Sequence, residues 1–477
     1  ADFRLNENNK LSFTGYLGND KLGLSDTFGL TWGNALASAQ WQHLFSQRLN
    51  STTTAYVTNY QNRVDVNSGT TNVQMLSTIN DISIKQDFLW LLNPQNTIKF
   101  GFNSIYHTVK PGQITADETS NYNSTNYQNR YSLENALYAT SDWQLTKKLN
   151  LGLGLRLSAF SILGKGDFLN VAGNGQILDT TSYASGEVVK TYLNLEPRLA
   201  LSYLLNEKSS VKASYVRNTQ NMHMLSNSTS NRPTDRWLSS TNMIKPEISD
   251  QVSMGYYRNL FDNKFELNVE SYYKTMQNQI DYRDGADVFD ADAVETQLLY
   301  GRGRAYGLEF LFKKKTGDFT GWVSYTLAKT ERQIDGINNN NWYNARQDRT
   351  HEIAVVGSYE LNKRWSLSAA WIYYTGDAIT FPSGKYNMDG QSFFYYTDRN
   401  AYRMPAYHRL DLGATFKLKQ KKNYSSELAF SLYNAYGRKN PYSITFREAE
   451  NNPSVTEAVR TTLFQYLPSI SYNFKFL

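Results

Sequence analysis

Apolar and polar residues alternate with a period of two along most of this chain. In residues 151–159 (LGLGLRLSA) every odd position is apolar and every even position is glycine or polar. Residues 193–203 repeat the pattern, and so do residues 470–476 (ISYNFKF). A period of two is that of a β-strand with one apolar and one polar face. The sequence therefore predicts an all-β fold.

Two classes of polar connection separate these runs, and the two classes alternate. Each class occurs nine times, which predicts nineteen strands. The short turns lie near residues 6–10, 46–50, 93–96, 147–150, 206–209, 262–264, 316–318, 362–364 and 419–425. The longer segments lie near residues 19–27, 65–71, 110–129, 164–187, 220–246, 283–294, 333–348, 376–406 and 437–458.

This arrangement predicts a transmembrane antiparallel β-barrel. Several runs hold ten or more residues, which suits the roughly 9–11 residues that a tilted strand needs to cross a bilayer. Outer-membrane barrels place short turns in the periplasm and long loops outside. The alternative, a soluble β-helix, propeller or secreted sandwich, would need turn signals about every 8–12 residues. Aromatic residues near the short turns, as interfacial girdles require, are Trp41, Phe45, Trp90, Trp143 and Trp365.

The strand count predicts that the complete barrel is larger. The last strand leaves a long loop and ends on the periplasmic side, whereas the first, at residues 1–5, enters a short turn. Bacterial single-chain barrels have an even number of strands. We therefore expect an odd number of strands to precede Ala1. Three more would give a barrel of about 22 strands, a size typical of plugged transporters.

Composition narrows the class of protein. Of the 477 residues, 14% are aromatic and 19% are charged, and the mean hydropathy is −0.56. The sequence lacks the run of about 18 apolar residues that a membrane-spanning helix needs. With no cysteine, disulfides, thiolate nucleophiles and Cys-ligated metal sites are excluded. The net charge of +6 is spread along the chain, whereas a nucleic-acid-binding protein would concentrate it, so no nucleic-acid partner is expected.

Six segments carry a family resemblance. In chain order they are Glu196-Pro197-Arg198, Lys245-Pro246-Glu247, Tyr306-Gly307-Leu308-Glu309, Asp348-Arg349-Thr350-His351, residues 404–412 (MPAYHRLDL) and residues 467–476 (LPSISYNFKF). Together they resemble the TonB-dependent outer-membrane receptors. The resemblance covers essentially the whole chain and is to the branch with an N-terminal carboxypeptidase-regulatory-like domain, then a plug, then the barrel.

The resemblance implies a function and partners. It implies an outer-membrane transporter of a Gram-negative bacterium that takes up a scarce, bulky nutrient, driven by an inner-membrane energy-coupling protein acting through the plug. Residues 1–477 would be the β-barrel domain without its first strands and without the plug. The alternative is a structural subunit of a larger outer-membrane complex, with a surface lipoprotein or other outer-membrane subunits as partners. The ligand, whether a small molecule, a peptide or a glycan, is left open.

Motifs for catalysis or cofactors do not support an enzyme. The five histidines are scattered and form no metal-binding helical pair. Residues 301–307 (GRGRAYG) miss the dinucleotide pattern, because a strand follows, and their glycines favour a bulge. The acidic residues of 281–295 fit no EF-hand calcium loop, and we interpret them as a solvated polar loop. We predict no catalytic residue, no cofactor and no metal site.

Charged residues within the predicted strands indicate which face is polar. Such charges would be costly against lipid. We therefore expect them to face a polar lumen, where they solvate the wall and hold the plug. They are Lys85, Asp87, Glu196, Arg198, Glu309 and Asp411.

Two long connections, residues 338–349 and 376–403, carry the chemistry best suited to ligand contact. Their aromatic rings are interleaved with arginines, which stack on sugars, peptides or chelate rings and bind anionic groups. The alternative role for the same rings is to pack the loops together and anchor them at the membrane interface. The predicted ligand-binding residues are Trp342, Tyr343, Arg346, Tyr386, Tyr395, Tyr396, Arg399, Tyr402 and Arg403.

Overall fold

The computed structural model describes residues 1–24, 28–68, 71–117, 124–225, 236–286, 293–388, 391–421, 423–449 and 451–476. One large antiparallel sheet contains 21 strands. Two of them, Thr125–Asn126 and Tyr343–Asn344, are two-residue strands within the long connections. The other nineteen strands form the wall. They are β1 (Asp2–Asn6), β2 (Asn9–Leu24), β3 (Phe28–Ser46), β4 (Leu49–Ser68), β5 (Thr71–Asn93), β6 (Asn96–Ala116), β7 (Arg130–Gln144), β8 (Leu149–Leu163), β9 (Val188–Asn206), β10 (Ser209–Gln220), β11 (Glu247–Leu260), β12 (Phe265–Tyr282), β13 (Leu298–Lys314), β14 (Phe319–Ile334), β15 (His351–Glu360), β16 (Trp365–Tyr374), β17 (Tyr407–Lys421), β18 (Tyr424–Tyr433) and β19 (Leu467–Phe476).

Each wall strand pairs with the next one along the chain, from β1 with β2 through to β18 with β19. The nine predicted short turns all connect wall strands at one end of the sheet. We call this the short-turn end, and the opposite end the long-loop end. The predictions of nineteen strands and of nine short turns at one end are therefore confirmed.

The two faces of the sheet differ as the alternation predicts. Leu153, Leu155 and Leu157 of β8 are 46%, 49% and 47% exposed, and they lie on the face that meets lipid in a membrane barrel. Arg156 and Ser158, which alternate with these leucines, face the other way. There, Glu196 accepts hydrogen bonds from the hydroxyls of Ser158 at 3.0 Å and Thr219 at 2.8 Å. Glu196, one of the charged residues predicted to avoid lipid, thus lies in a polar network.

Two predicted loops are strands in the structure. Residues 19–24 continue β2 and pair with Phe28–Gly33 of β3, and residues 65–68 of β4 pair with Thr71–Gln74 of β5. The predicted loops near 19–27 and 65–71 were therefore wrong as far as these residues are described. The polar residues of these segments suggested loops, although Val66 and Val73 pack against the buried Val64 and Met75. The backbone ladder continues through both segments.

The long-loop end carries small sheets of its own. These two-stranded hairpins pair Gly166–Val171 with Ile177–Tyr183, Met222–Leu225 with Arg236–Ser239, Ala378–Ile379 with Tyr402–Arg403, Gly384–Met388 with Gln391–Tyr395, and Ser443–Ala449 with Asn452–Thr461. The helical segments of the described residues are two 3-10 turns, Val294–Gln297 and Asn338–Asn340. A membrane-spanning helix is not found among the described residues.

The glycine-rich segment 301–307 lies within β13, and no helix follows it. Opposite it, the pairing of β12 with β13 shifts register between Gln277 and Gln279. Asn278, between them, has a φ of 57°, in the left-handed region that accompanies a bulge. A methyl group on Gly301 would lie 2.1 Å from the carbonyl oxygen of Gln333. The prediction of a bulge rather than a nucleotide site agrees with this geometry.

Candidate functional site

Three connections at the long-loop end meet around the guanidinium of Arg399. Its side chain is only 6% exposed. It donates to the carboxylate of Asp281 at 2.8 Å, to that of Asp284 at 2.6 Å and to the backbone carbonyl of Tyr282 at 2.6 Å. Burial acts to lower the pKa of Arg399, but the charges of Asp281 and Asp284 outweigh it and raise the pKa. The cation is therefore held permanently charged within the loops.

Tyr343 completes this cluster from a second loop. Its hydroxyl donates to the other oxygen of Asp281 at 2.8 Å, and its ring packs with Ile334 and Ile337. Burial, followed by the charge of Asp281, raises the pKa of Tyr343. The phenol therefore stays neutral and remains a hydrogen-bond donor. We call Asp281, Asp284, Tyr343 and Arg399 the loop clamp.

A second set of bonds ties residues 335–350 to residues 375–406. Arg403 forms an ion pair with the fully buried Asp348, and Arg349 pairs with Asp377 at 2.8 Å. The side-chain amide of Asn338 donates to the backbone oxygen of Arg399 at 3.0 Å, and its oxygen accepts from the Arg399 backbone N–H at 2.8 Å. Such charge-assisted and paired bonds fix geometry as well as adding energy. The two connections therefore behave as one rigid platform.

Aromatic rings stand exposed on this platform. Phe381 stacks on Tyr402, with ring centroids 5.5 Å apart, and meets Phe446 of the next long connection at 5.0 Å. Tyr386 stacks on Phe393 across the hairpin at 5.7 Å. Tyr386, Tyr395, Tyr396 and Tyr402 are 51%, 47%, 44% and 45% exposed. We call these seven rings the aromatic surface: Phe381, Tyr386, Phe393, Tyr395, Tyr396, Tyr402 and Phe446.

The two remaining predicted residues lie nearer the wall. The ring of Trp342 is covered by the guanidinium groups of Arg304 at 4.2 Å and Arg302 at 5.5 Å. Arg346 is half-buried, and its backbone oxygen accepts from the N–H of Ala378 at 3.0 Å. Trp342 is therefore stacked against the upper part of β13 and lies apart from the aromatic surface.

The structure separates the nine predicted residues into three groups, one of which is Trp342 and Arg346 near the wall. Tyr386, Tyr395, Tyr396 and Tyr402 present exposed rings, whereas Tyr343, Arg399 and Arg403 are bonded inside the platform. No observation tests whether any of the nine binds a ligand, so that assignment stays a prediction. Within the described segments, no group of three His, Asp or Glu side chains is arranged to hold a metal ion.

The sequence analysis did not predict which carboxylates form ion pairs with the arginines of the long connections. The acidic residues 281–295 were interpreted as a solvated loop, but Asp281 and Glu295 are 7% and 3% exposed. That interpretation was wrong for both, because a carboxylate is buried only where a partner compensates for its lost hydration. Asp287, Asp290 and Asp292 lie outside the described residues. A loop rich in aspartate and another rich in arginine could have suggested the pairing, but not which residues meet.

Comparison with known proteins identifies related sequences and folds. The family described as TonB dependent receptor-like, beta-barrel, matches residues 1–435. A search of curated proteins finds no match.

Solved structures share the architecture at low sequence identity. The ferric-catecholate import receptor Fiu of Escherichia coli K12 is 13% identical, with a TM-score of 0.61 over 99% of this chain and 73% of that one. The ferric preacinetobactin receptor BauA of Acinetobacter baumannii is 13% identical, with a TM-score of 0.63 over 99% and 70%. The copper transporter OprC is 12% identical, with a TM-score of 0.67 over 100% and 70%. At identities this low, the structural similarity shows a common fold alone.

Proposed function

The chain belongs to the TonB-dependent receptor-like β-barrel family of the Gram-negative outer membrane, and we propose that it is the barrel of a transporter that takes up a scarce, bulky nutrient. In this proposal the loops at the long-loop end face the outside and capture the ligand. Release inward is driven by an inner-membrane energy-coupling protein acting through a plug. Family membership supports these two parts of the proposal, the energy-coupling protein and the plug.

The observation that supports ligand capture is the exposed aromatic surface on a rigid platform. The three cationic side chains of residues 375–406, Lys385, Arg399 and Arg403, all form ion pairs, with Glu448, Asp281 and Asp348. The ring faces are therefore the groups most available for a ligand. Rings held by a fixed scaffold lose little conformational freedom on binding, which favours affinity. The proposed ligand is one with flat or apolar faces that stack on tyrosine.

The structural relatives do not narrow the ligand further. Fiu is a ferric-catecholate receptor and OprC a copper transporter, so the same fold serves ligands of different chemistry. Function on a shared fold depends on the residues of the site. The chemical class of the ligand must therefore be determined by experiments on this protein.

The test combines ligand identification with substitution. Molecules that copurify with the wild-type protein are identified by mass spectrometry, and uptake of the identified molecule is then measured in cells. Replacing Tyr396 and Tyr402 together by alanine should reduce binding and uptake at least tenfold, on the order of 1.4 kcal/mol. Tyr203→Ala, an exposed tyrosine near the short-turn end, is the matched control and should retain uptake.

Surface abundance of each variant is measured in parallel. Full uptake by the double tyrosine variant at normal abundance would place ligand capture elsewhere. A strain that lacks the protein and shows unchanged uptake of every copurifying molecule would contradict transport. That outcome would instead favour the alternative, a structural subunit of an outer-membrane complex.

A further inference from the structure

An apolar groove of about 550 Å³ crosses the wall between β14 and β18, close to the short-turn end. Its sides are formed by Phe319, Tyr359, Leu367, Leu412 and Phe430. Tyr359 and Phe319 are directly paired across β14 and β15, and Leu367 is paired with Ala414 across β16 and β17. The groove therefore runs across four strand pairings.

The groove lies on the lipid-facing side of the wall. Leu367 and Leu412 are exposed. The side chains next to them in the chain, Ser366 and Asp411, project to the opposite, polar face because side chains alternate along a strand. Asp411 is ion-paired there with Arg409 at 2.8 Å. The groove is thus a concavity in the surface that meets the hydrocarbon of the membrane.

Small residues create the concavity. Gly357 and Ala369 are paired on adjacent strands, and Leu412 pairs with Ala369 from the other side. A methyl group on Gly357 would come within 3.1 Å of the Phe319 ring. The ring therefore lies over the glycine and forms one rim. Larger side chains at these positions would fill the groove.

An aromatic cluster separates the groove from the short-turn end. Trp365 lies 4.8 Å from Phe416 and 6.4 Å from Phe430, measured between ring centroids. Tryptophan is enriched at the boundary between hydrocarbon and headgroups. This cluster therefore marks the level at which the headgroups of the periplasmic leaflet begin.

Beyond that level lies a rim of cations on the same side of the wall. Lys419 and Lys421 follow Phe416 on β17, and both are exposed. A register shift after Lys417 pairs them with Ser426 and Tyr424 of β18, which lie on the same face as Phe430 by alternation. Across the described segments of the chain, neither forms a salt bridge. Arg364, in the turn between β15 and β16, is also exposed, and Lys314 lies 5.9 Å from the Phe319 ring centre. We call these four residues the basic rim.

The spacing of the three layers matches one lipid leaflet. Leu367 is three residues from Arg364, and Ala369 is two residues further. At about 3.4 Å per residue, the groove extends from roughly 10 to 17 Å from the turn, measured along a tilted strand. One leaflet contributes about 15 Å, half of a hydrocarbon core of about 30 Å. The groove therefore lies at the depth of the acyl chains of the periplasmic leaflet.

From this arrangement we propose that the groove and the basic rim form a binding site for one anionic phospholipid of the periplasmic leaflet. An acyl chain fills the groove between Phe319 and Phe430, and the phosphate lies at Lys419, Lys421 and Arg364. Juxtamembrane cations attract anionic lipid headgroups. The acyl chain provides contact area, and the cations select the headgroup.

The experiment measures lipid binding to the purified, detergent-solubilised protein by native mass spectrometry. The probes are palmitoyl-oleoyl phosphatidylglycerol and palmitoyl-oleoyl phosphatidylcholine, which share their acyl chains and differ in net charge. The site predicts one saturable phosphatidylglycerol adduct, at least tenfold tighter than the phosphatidylcholine adduct.

Two variants and one control assign the adduct to this site. Ala369→Phe fills the groove, and Lys419→Glu with Lys421→Glu reverses the charge of the rim. Each should weaken phosphatidylglycerol binding at least tenfold. Ala139→Phe, at an exposed alanine on the lipid-facing side of β7, should leave binding unchanged. Retention of the heat-stable folded band in electrophoresis shows that each variant is assembled.

Three results would overturn the assignment. Equal binding of the two lipids would show that the basic rim does not select the headgroup. Unchanged phosphatidylglycerol binding in Ala369→Phe would show that the acyl chain does not lie in the groove. A concentration-dependent dimer that Ala369→Phe abolishes, without a lipid adduct in the wild type, would make the groove an interface between copies.

Discussion

At the scale of single residues, the position of Arg399 decides what the long connections can do. An arginine in a polar loop usually points to water, but this one is enclosed by Asp281, Asp284 and Tyr343. Removing one partner of a buried ion pair strongly destabilises the folded protein, because the other charge is left without compensation. Arg399 is thus a residue that positions the aromatic surface.

Replacing Arg399 by alanine should therefore loosen the platform and leave the wall intact. The charge of Asp281, left buried and unpaired, should cost about 3–5 kcal/mol, which the loops relieve by opening. Hydrogen–deuterium exchange should show loss of protection in residues 335–350 and 375–406, with no change in the wall strands.

Arg447→Ala is the control, because Arg447 pairs with Glu457 at 3.5 Å with both side chains about half exposed. Exposed pairs contribute about 1 kcal/mol or less. If Arg399→Ala left exchange in both connections as in the wild type, the loop clamp would not hold the platform.

At the scale of the element, the sequence predicted the strands well wherever the membrane imposes an apolar face. The nineteen strands and the nine short turns follow from alternation and from polar turn residues. The continuation of β2 to Leu24 and of β4 to Ser68 did not follow, since the polar residues there are typical of a loop. The types of residue in the site could be predicted from the sequence, but their contacts could not. Arg399 and Asp281 are 118 residues apart, and no local pattern pairs them.

Two valines of β4 test the difference between its lower and upper parts. Val57 is 49% exposed on the lipid-facing side, whereas Val64 is buried with Met75, Ile114 and Tyr127 near the long-loop end. Val57→Arg should cost about 2–4 kcal/mol against lipid and reduce the folded protein in outer-membrane fractions.

Val64→Arg should disrupt the packing of that upper cluster while the protein still inserts. The measurements are the amount of heat-stable folded band and the protease sensitivity of intact cells. Normal assembly of Val57→Arg would show that this part of β4 does not face lipid.

At the scale of the whole molecule, the orientation in the membrane determines which end meets a nutrient. Residues 1–477 contain no cysteine, so each introduced cysteine is the single thiol of this segment. Ser185→Cys and Gln347→Cys, both exposed at the long-loop end, should react with an impermeant maleimide in intact cells. Gln95→Cys and Lys148→Cys, in short turns, should react only after the outer membrane is permeabilised.

The unsubstituted chain provides the zero-labelling control. Labelling of Gln95→Cys and Lys148→Cys in intact cells, with protection of the other two positions, would reverse the orientation. The long connections would then face the periplasm, and the aromatic surface could not be the first point of contact for an external ligand.

The loop clamp also has a consequence for the order of events during biogenesis. In the part of the chain that the structure describes, the wall strands pair with their neighbours in sequence, so the sheet can grow one hairpin at a time through local contacts. Arg399 and Asp281 are separated by the four strands β13 to β16. Contacts between distant segments form late, because the chain between them must be ordered first. The clamp can therefore close only after these strands are in place, and an incompletely built wall would not display the aromatic surface.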